Sequence, residues 1–149
     1  MKSESSKSTT DTPLVAVTSA QSGYASQVRV RGHSLWADEP QTLGGTDSGP
    51  SPYELLLASL GTCVVMTTRM YADRKGWPLT GVSVNLSQDR IHAEDCPDCE
   101  MASGPVLRIT KRLELQGDLD EEQRSRLMEI ADRCPVQRSL LSEIQIRTA

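Results

Sequence analysis

Phenylalanine is missing altogether. With 2 Trp and 3 Tyr among 149 residues, aromatics make up only 3% of the chain. Any core must therefore be aliphatic, and 37% hydrophobic residues make one possible but not generous. Positive charge is in deficit: 16 Lys and Arg stand against 20 Asp and Glu, a net charge of -4. Nucleic-acid-binding domains usually carry a basic face, so no nucleic-acid partner is expected. Residues 1–12, MKSESSKSTTDT, lack the apolar stretch of a secretion signal. They read as a disordered tail before a single domain over residues 13–149. No unbroken apolar run reaches the ~18 residues of a membrane span. The longest, LLLASLGTCVVM, reads as too short to cross a bilayer, and no membrane partner is expected. Four cysteines without a signal segment suggest a reducing, cytoplasmic compartment, where cysteines serve redox chemistry or metals more often than structural bridges.

What is present alternates between strand and helix patterns. LVAVTSA, SQVRVRG and HSLWADEP read as strands, the second alternating Val28 and Val30 with Arg29 and Arg31. QTLGGTDSGPSP is rich in loop-forming residues. A first helix then starts with Ser51 as N-cap, Pro52 at the first helical position and Glu54 closing a capping box. Leu56, Leu60, Cys63, Thr67 and Met70 recur on one face, and the other face is also apolar, as in a helix at the middle of a protein. Either a sheet wraps that helix or two chains bury it between them. Gly76-Trp77-Pro78 stops it. GVSVNLSQDRI and VLRITKRLELQG read as an antiparallel hairpin with HAEDCPDCEMASGP at its tip. DLDEEQRSRLMEIADRCP is a second helix with acidic residues at its start. Pro135 keeps Cys134 out of the helix and at its end. A helical turn, VQRSLL, and a last strand, EIQIRT, complete the pattern.

The cysteines divide into two pairs. On spacing alone Cys63 reads as core filler, because an ordinary thiol is only ~3% ionised at neutral pH and a mid-helix position supplies no activating charge. Cys134 also ends an apolar helical stripe, flanked by Arg133 and Arg138. Two thiols on facing stripes suit an attacking and a resolving pair. Cys96 and Cys99 form a Cys-x-x-Cys after His92. They suit three zinc ligands (with Asp95, Asp98 or His33 as a fourth), a dithiol–disulfide switch, or a plain stabilising pair. Acidic neighbours Glu94, Asp95, Asp98 and Glu100 blunt thiol reactivity there.

GGTDSGPSPYELLLASLGTC, MTTRMYADRKGWPL and ADRCPVQRSL, set within residues 29–147, resemble the OsmC/Ohr superfamily of osmotically inducible and organic hydroperoxide resistance proteins. The resemblance implies an α+β fold in which two antiparallel sheets wrap two central helices, assembled as an intertwined homodimer. It also implies a thiol-dependent peroxidase that reduces organic or hydrogen peroxides in oxidative-stress defence. Cys63 would be peroxidatic, Cys134 resolving, and a thiol or lipoyl-type dithiol the reductant. No cofactor, metal or flavin is implied. Relatives hold the thiolate with an Arg and a Glu; Arg31, or Arg29, and Glu54 are the candidates. The Glu of active relatives directly follows the Pro, where this chain has Tyr53. Glu54 comes one place later, about 100° further round the helix, and reads as either catalytic or only the capping-box residue. The alternative function is a non-enzymatic small-ligand or metal-binding module, resting on Tyr53 and the Cys96/Cys99 pair.

Overall fold

Residues 14–148 are described in a computed structural model. The tail expected over residues 1–12 lies outside them. The sequence patterns become three strands, a long helix, a two-stranded hairpin and two further helices. The fold is α+β with two antiparallel sheets. The chain forms two compact units that divide between Leu55 and Leu56, in the first turn of the long helix α1 (Pro52–Lys75).

The first unit holds β1 (Val15–Ser19), β2 (Ser26–Val30) and β3 (His33–Ala37), antiparallel in that order. Val17 pairs with Val28, and Val28 in turn with Leu35. After β3 the chain folds around one carboxylate. Asp38, 2% exposed, accepts hydrogen bonds from the backbone N–H groups of Glu39 (2.8 Å), Thr46 (3.0 Å) and Ser48 (3.2 Å). It also accepts from the hydroxyls of Thr46 (2.6 Å) and Ser48 (2.8 Å). The glycines of GGTDSG have a steric reason in this loop. A Cβ at Gly45 would lie 1.8 Å from the Glu39 carbonyl oxygen, and one at Gly49 2.0 Å from that of Trp36. Ser51 and Glu54 then form the expected capping box: Ser51 N–H donates to Glu54 Oε2 at 2.7 Å, and Glu54 N–H to Ser51 Oγ at 3.4 Å.

The second unit is a hairpin with helices on one face. β4 (Leu79–His92) pairs with β5 (Pro105–Gly117) from Leu79↔Gly117 to His92↔Pro105. Helix α2 (Glu121–Ala131) begins with a capping box between Asp120 and Gln123, and α3 (Pro135–Leu140) follows. Both long helices pack on the hairpin. One cluster joins Leu60, Val64, Ala131 and Cys134 to Val84, Leu86, Ile109 and Leu113. The other joins Ala72, Leu79, Leu119 and Leu127 to Val82 and Leu115. Full burial of Val64 or Leu127 contributes about 1.5–3 kcal/mol each.

Three expectations are corrected. The buried face of α1 runs through Leu60, Gly61, Val64, Thr68 and Ala72, not through Thr67 and Met70. Gly61 sets this face: a Cβ there would lie 2.8 Å from Leu86 Cδ1, so the helix meets β4 where it has no side chain. Thr68 is tolerated inside because its hydroxyl donates to the Val64 carbonyl at 2.8 Å. Met66 and Met70 are left 59% and 67% exposed. Secondly, the run read as too short to cross a bilayer lies in a helix of 24 residues, long and apolar enough to do so by length and composition alone, a test that the core helix of a soluble protein also passes. Thirdly, EIQIRT is no strand. Residues 143–148 have no ladder partner among the described residues, and alternation without a partner leaves Ile146 92% exposed.

The Asp38 knot generates a pH prediction. Hydrogen bonds from the Thr46 hydroxyl, then the Ser48 hydroxyl, hold this carboxyl well below the usual carboxylate range. A depressed folded-state value gives stability that is full above the unfolded pKa of about 3.9 and is lost as pH falls below it. Asp38→Asn should lower the thermal midpoint at pH 7 and flatten the loss of stability below about pH 4. Thermal unfolding across pH 2–7 checks both; an unchanged midpoint and acid limb would count against the knot.

Candidate functional site

Local sequence places both free cysteines. Cys63 sits one residue before the fully buried Val64, on the border of the buried face of α1, and is half-buried. Its Sγ lies 4.0 Å from Thr67 Oγ1, one helical turn on. Cys134 is 0% exposed. Pro135 forces the residue before it out of the helical region, and Cys134 takes φ -62° and ψ 142° as the N-cap of α3. Its Sγ accepts from the Gln137 N–H at 3.4 Å, as a capping hydroxyl would. Thus Cys134 begins a helix three residues beyond the end of α2, where the sequence pattern suggested only that it closed one.

The two thiols meet in one apolar cluster. Cys134 belongs to its fully buried part, with Leu60, Val64 and Ala131, and Cys63 packs against it. Burial pushes the Cys134 thiol up from its ordinary value. The Gln137 N–H opposes burial, the hydrogen bond and charge interaction with Cys63 add to the rise, and the Lys111 ammonium lowers it. Cys134 therefore rests as a neutral thiol, suited to a second step rather than to first attack.

Lys111 is the residue that sequence reasoning passed over. On β5 it falls in phase with Leu107, Ile109, Leu113 and Leu115, on the face turned toward the helices. That phase was the available signal: a lysine at an inward position of an alternating strand. Its side chain is 19% exposed and its Nζ is held by the Asp132 carboxylate at 2.7 Å, Gln137 Oε1 at 2.5 Å and the Ala131 carbonyl at 3.4 Å. Beside it lies a cavity of about 340 Å³ lined by Leu56, Leu60, Leu107, Ile109, Leu140 and Leu141, with Lys111 and Gln137 as its polar groups. Leu60, Ile109 and Leu140 also belong to the cluster around the thiols. The cavity suits an apolar ligand with one polar end.

The OsmC-like protein family model matches residues 45–149, which include α1, the hairpin and both cysteine-bearing segments. The chain belongs to the OsmC-like family. Solved structures agree on the fold of this OsmC-like protein. An OsmC-like protein from Mycoplasma pneumoniae is 20% identical, with a TM-score of 0.62, covering 78% of this chain and 79% of its own. An organic hydroperoxide resistance protein OsmC from Legionella pneumophila is 20% identical, with a TM-score of 0.58, covering 87% and 91%. An organic hydroperoxide resistance protein from Elizabethkingia anophelis is 18% identical, with a TM-score of 0.58, covering 84% and 86%. No curated protein matches the sequence.

The remaining candidates of this OsmC-like chain are not members of the thiol cluster. Glu54 belongs to the first unit, is exposed, and commits its carboxylate to the Ser51 N–H. Arg31 also belongs to the first unit; it is exposed in the β2–β3 turn with φ 55°. Arg29 is exposed on β2. Cys96 and Cys99 are joined as a disulfide, which removes both sulfurs from the zinc set considered with His92. Among the described residues, no three His, Cys, Asp or Glu side chains come together as a metal site.

Lys111 gives a titration test. Lys111→Met should raise the pH at which Cys134 ionises, followed as thiolate ultraviolet absorbance in a Cys63→Ser background. Lys111→Arg should restore it. Identical curves for all three forms would remove Lys111 from the electrostatics of the site.

Proposed function

We propose that this OsmC-like protein is a thiol-dependent peroxidase for organic, and secondarily hydrogen, peroxides. The observation that carries the proposal is the meeting of two unbridged thiols, one half-buried and one fully buried, in a single apolar cluster. Family membership and the hydroperoxide resistance proteins of the same fold support it.

The chemistry divides between the two sulfurs. The Cys63 thiolate attacks one peroxide oxygen and the O–O bond breaks. The other oxygen leaves with a proton as alcohol or water, and Cys63 becomes a sulfenic acid. Cys134 then attacks the Cys63 sulfur, water leaves, and a Cys63–Cys134 disulfide forms. Two thiol equivalents from a monothiol or dithiol reduce it by exchange. The leucine-lined cavity beside Lys111 favours peroxides with an apolar alkyl body over hydrogen peroxide. In this proposal Arg31 supplies positive charge to the peroxide and Glu54 a carboxylate, the latter on releasing the Ser51 N–H. Neither role is needed to bring the sulfurs together.

A homodimer forms part of the same proposal. Apolar residues remain exposed on the first sheet (Val15, Val17, Leu35, Trp36), on α1 (Met66, Met70) and in the last segment (Ile144, Ile146). Surfaces of this kind mark association sites. A reducing, cytoplasmic setting supplies the thiols that regenerate Cys63 and Cys134.

Turnover is the test. With cumene hydroperoxide and a dithiol, the protein should consume peroxide catalytically, and faster than it consumes hydrogen peroxide. Cys63→Ser should fall to the uncatalysed rate. Without added thiol, which would condense with the sulfenic acid in place of Cys134, Cys134→Ser should consume about one equivalent and then stall at the sulfenic acid. Failure to turn over either peroxide would defeat the proposal.

A further inference from the structure

The tip of the β4–β5 hairpin holds chemistry that the peroxidase cycle does not use. Cys96 and Cys99 form a disulfide with Cα atoms 5.4 Å apart, and both residues are only part-buried. As a structural bridge it returns little. Stabilisation by a disulfide grows with the length of chain it closes, and this bridge spans a sequence separation of only 3. The tip is already tied without it: Ala93 N–H donates to the Gly104 carbonyl at 2.9 Å, and the ladder below reaches His92↔Pro105. Partly exposed disulfides with little structural return are the ones that exchange.

The site is separate from the Cys63–Cys134 pair. Those thiols pack near Leu86, and six residues of strand, about 20 Å, run from Leu86 to His92 at the tip. Its electrostatics are one-sided. Glu94, Asp95, Asp98 and Glu100 surround the two sulfurs in sequence, and no Lys or Arg occurs between Arg90 and Arg108. Arg108 itself is paired with Asp89. A field of this sign repels anionic thiolates and draws in thiols that carry positive charge.

We propose that Cys96–Cys99 is a second thiol–disulfide exchange site, whose partners are cationic thiols or dithiols. A partner thiolate attacks one of the two sulfurs, the S–S bond breaks, and the other cysteine leaves as a thiolate that takes up a proton. A second partner thiol then attacks the mixed disulfide. The partner ends oxidised to its disulfide, and Cys96 and Cys99 end as thiols, two electrons having passed. The proposal does not depend on the peroxidase reading, because Cys63 and Cys134 take no part.

Trypsin releases Ile91–Arg108 as one peptide that carries both cysteines and neither Cys63 nor Cys134. In full-length protein equilibrated with graded glutathione and dithiothreitol buffers, differential alkylation of this peptide should follow a two-electron transition from bridged to doubly alkylated. At low salt and equal thiolate concentration, cysteamine should open the bridge about tenfold faster than 3-mercaptopropionate, with the gap closing in 1 M salt. Cys96→Ser/Cys99→Ser should keep the thermal midpoint of the parent. A pair that stays bridged or stays reduced across all buffers, equal rates for the two thiols, or a large fall in the midpoint of the double variant would each overturn the proposal.

Discussion

The approach of α1 to β4 at Gly61 is the contact on which the rest of the site depends. A helix carrying apolar residues on most of its circumference has no intrinsic preference for which face to bury. The missing side chain decides, because a Cβ at Gly61 would lie 2.8 Å from Leu86 and 3.3 Å from Val84, and without it the neighbouring Leu60 and Val64 pack on the same strand. With that face fixed, Val64 and Thr68 turn inward, Met66 and Met70 turn outward, and Cys63 falls on the border between them. A border position suits the role proposed for Cys63: packed enough to be held, open enough to be reached.

Cys134 reaches the same cluster by a different local rule. Pro135 cannot follow a helical residue comfortably, so the chain leaves α2, turns, and restarts as α3 with Cys134 at the cap. The thiol substitutes for the usual capping hydroxyl and gains a backbone N–H in place of water. Burial and the neighbouring thiol keep it neutral, while Lys111 and the Gln137 N–H moderate that effect. One sulfur placed for access and one placed for burial is an asymmetric pair, and the proposed order of the two chemical steps rests on that asymmetry.

Much of this was legible in the sequence. Strand alternation, the Ser51–Glu54 capping box and Gly76 located every strand and the long helix, and Pro135 located the break at Cys134. The face of α1 was not legible, since periodicity counts apolar side chains and a glycine contributes none. Lys111 was hidden by its charge, although its phase with Ile109 and Leu113 declared it inward. The loop after β3 looked like punctuation because its ordering group, Asp38, lies eight to ten residues before the hydroxyls that bind it. EIQIRT failed for the opposite reason: its alternation is real, but a strand also needs a partner. Pairing of Cys96 with Cys99 was open among three readings, and only geometry selects the disulfide.

Mass-spectrometric disulfide mapping of fully reduced protein after one equivalent of alkyl hydroperoxide tests the central claim most directly. The account predicts a Cys63–Cys134 cross-link as the first product, formed at the expense of both free thiols. A Cys63 that remains alkylatable, or that proceeds to sulfinic acid while Cys134 stays a thiol, would contradict it.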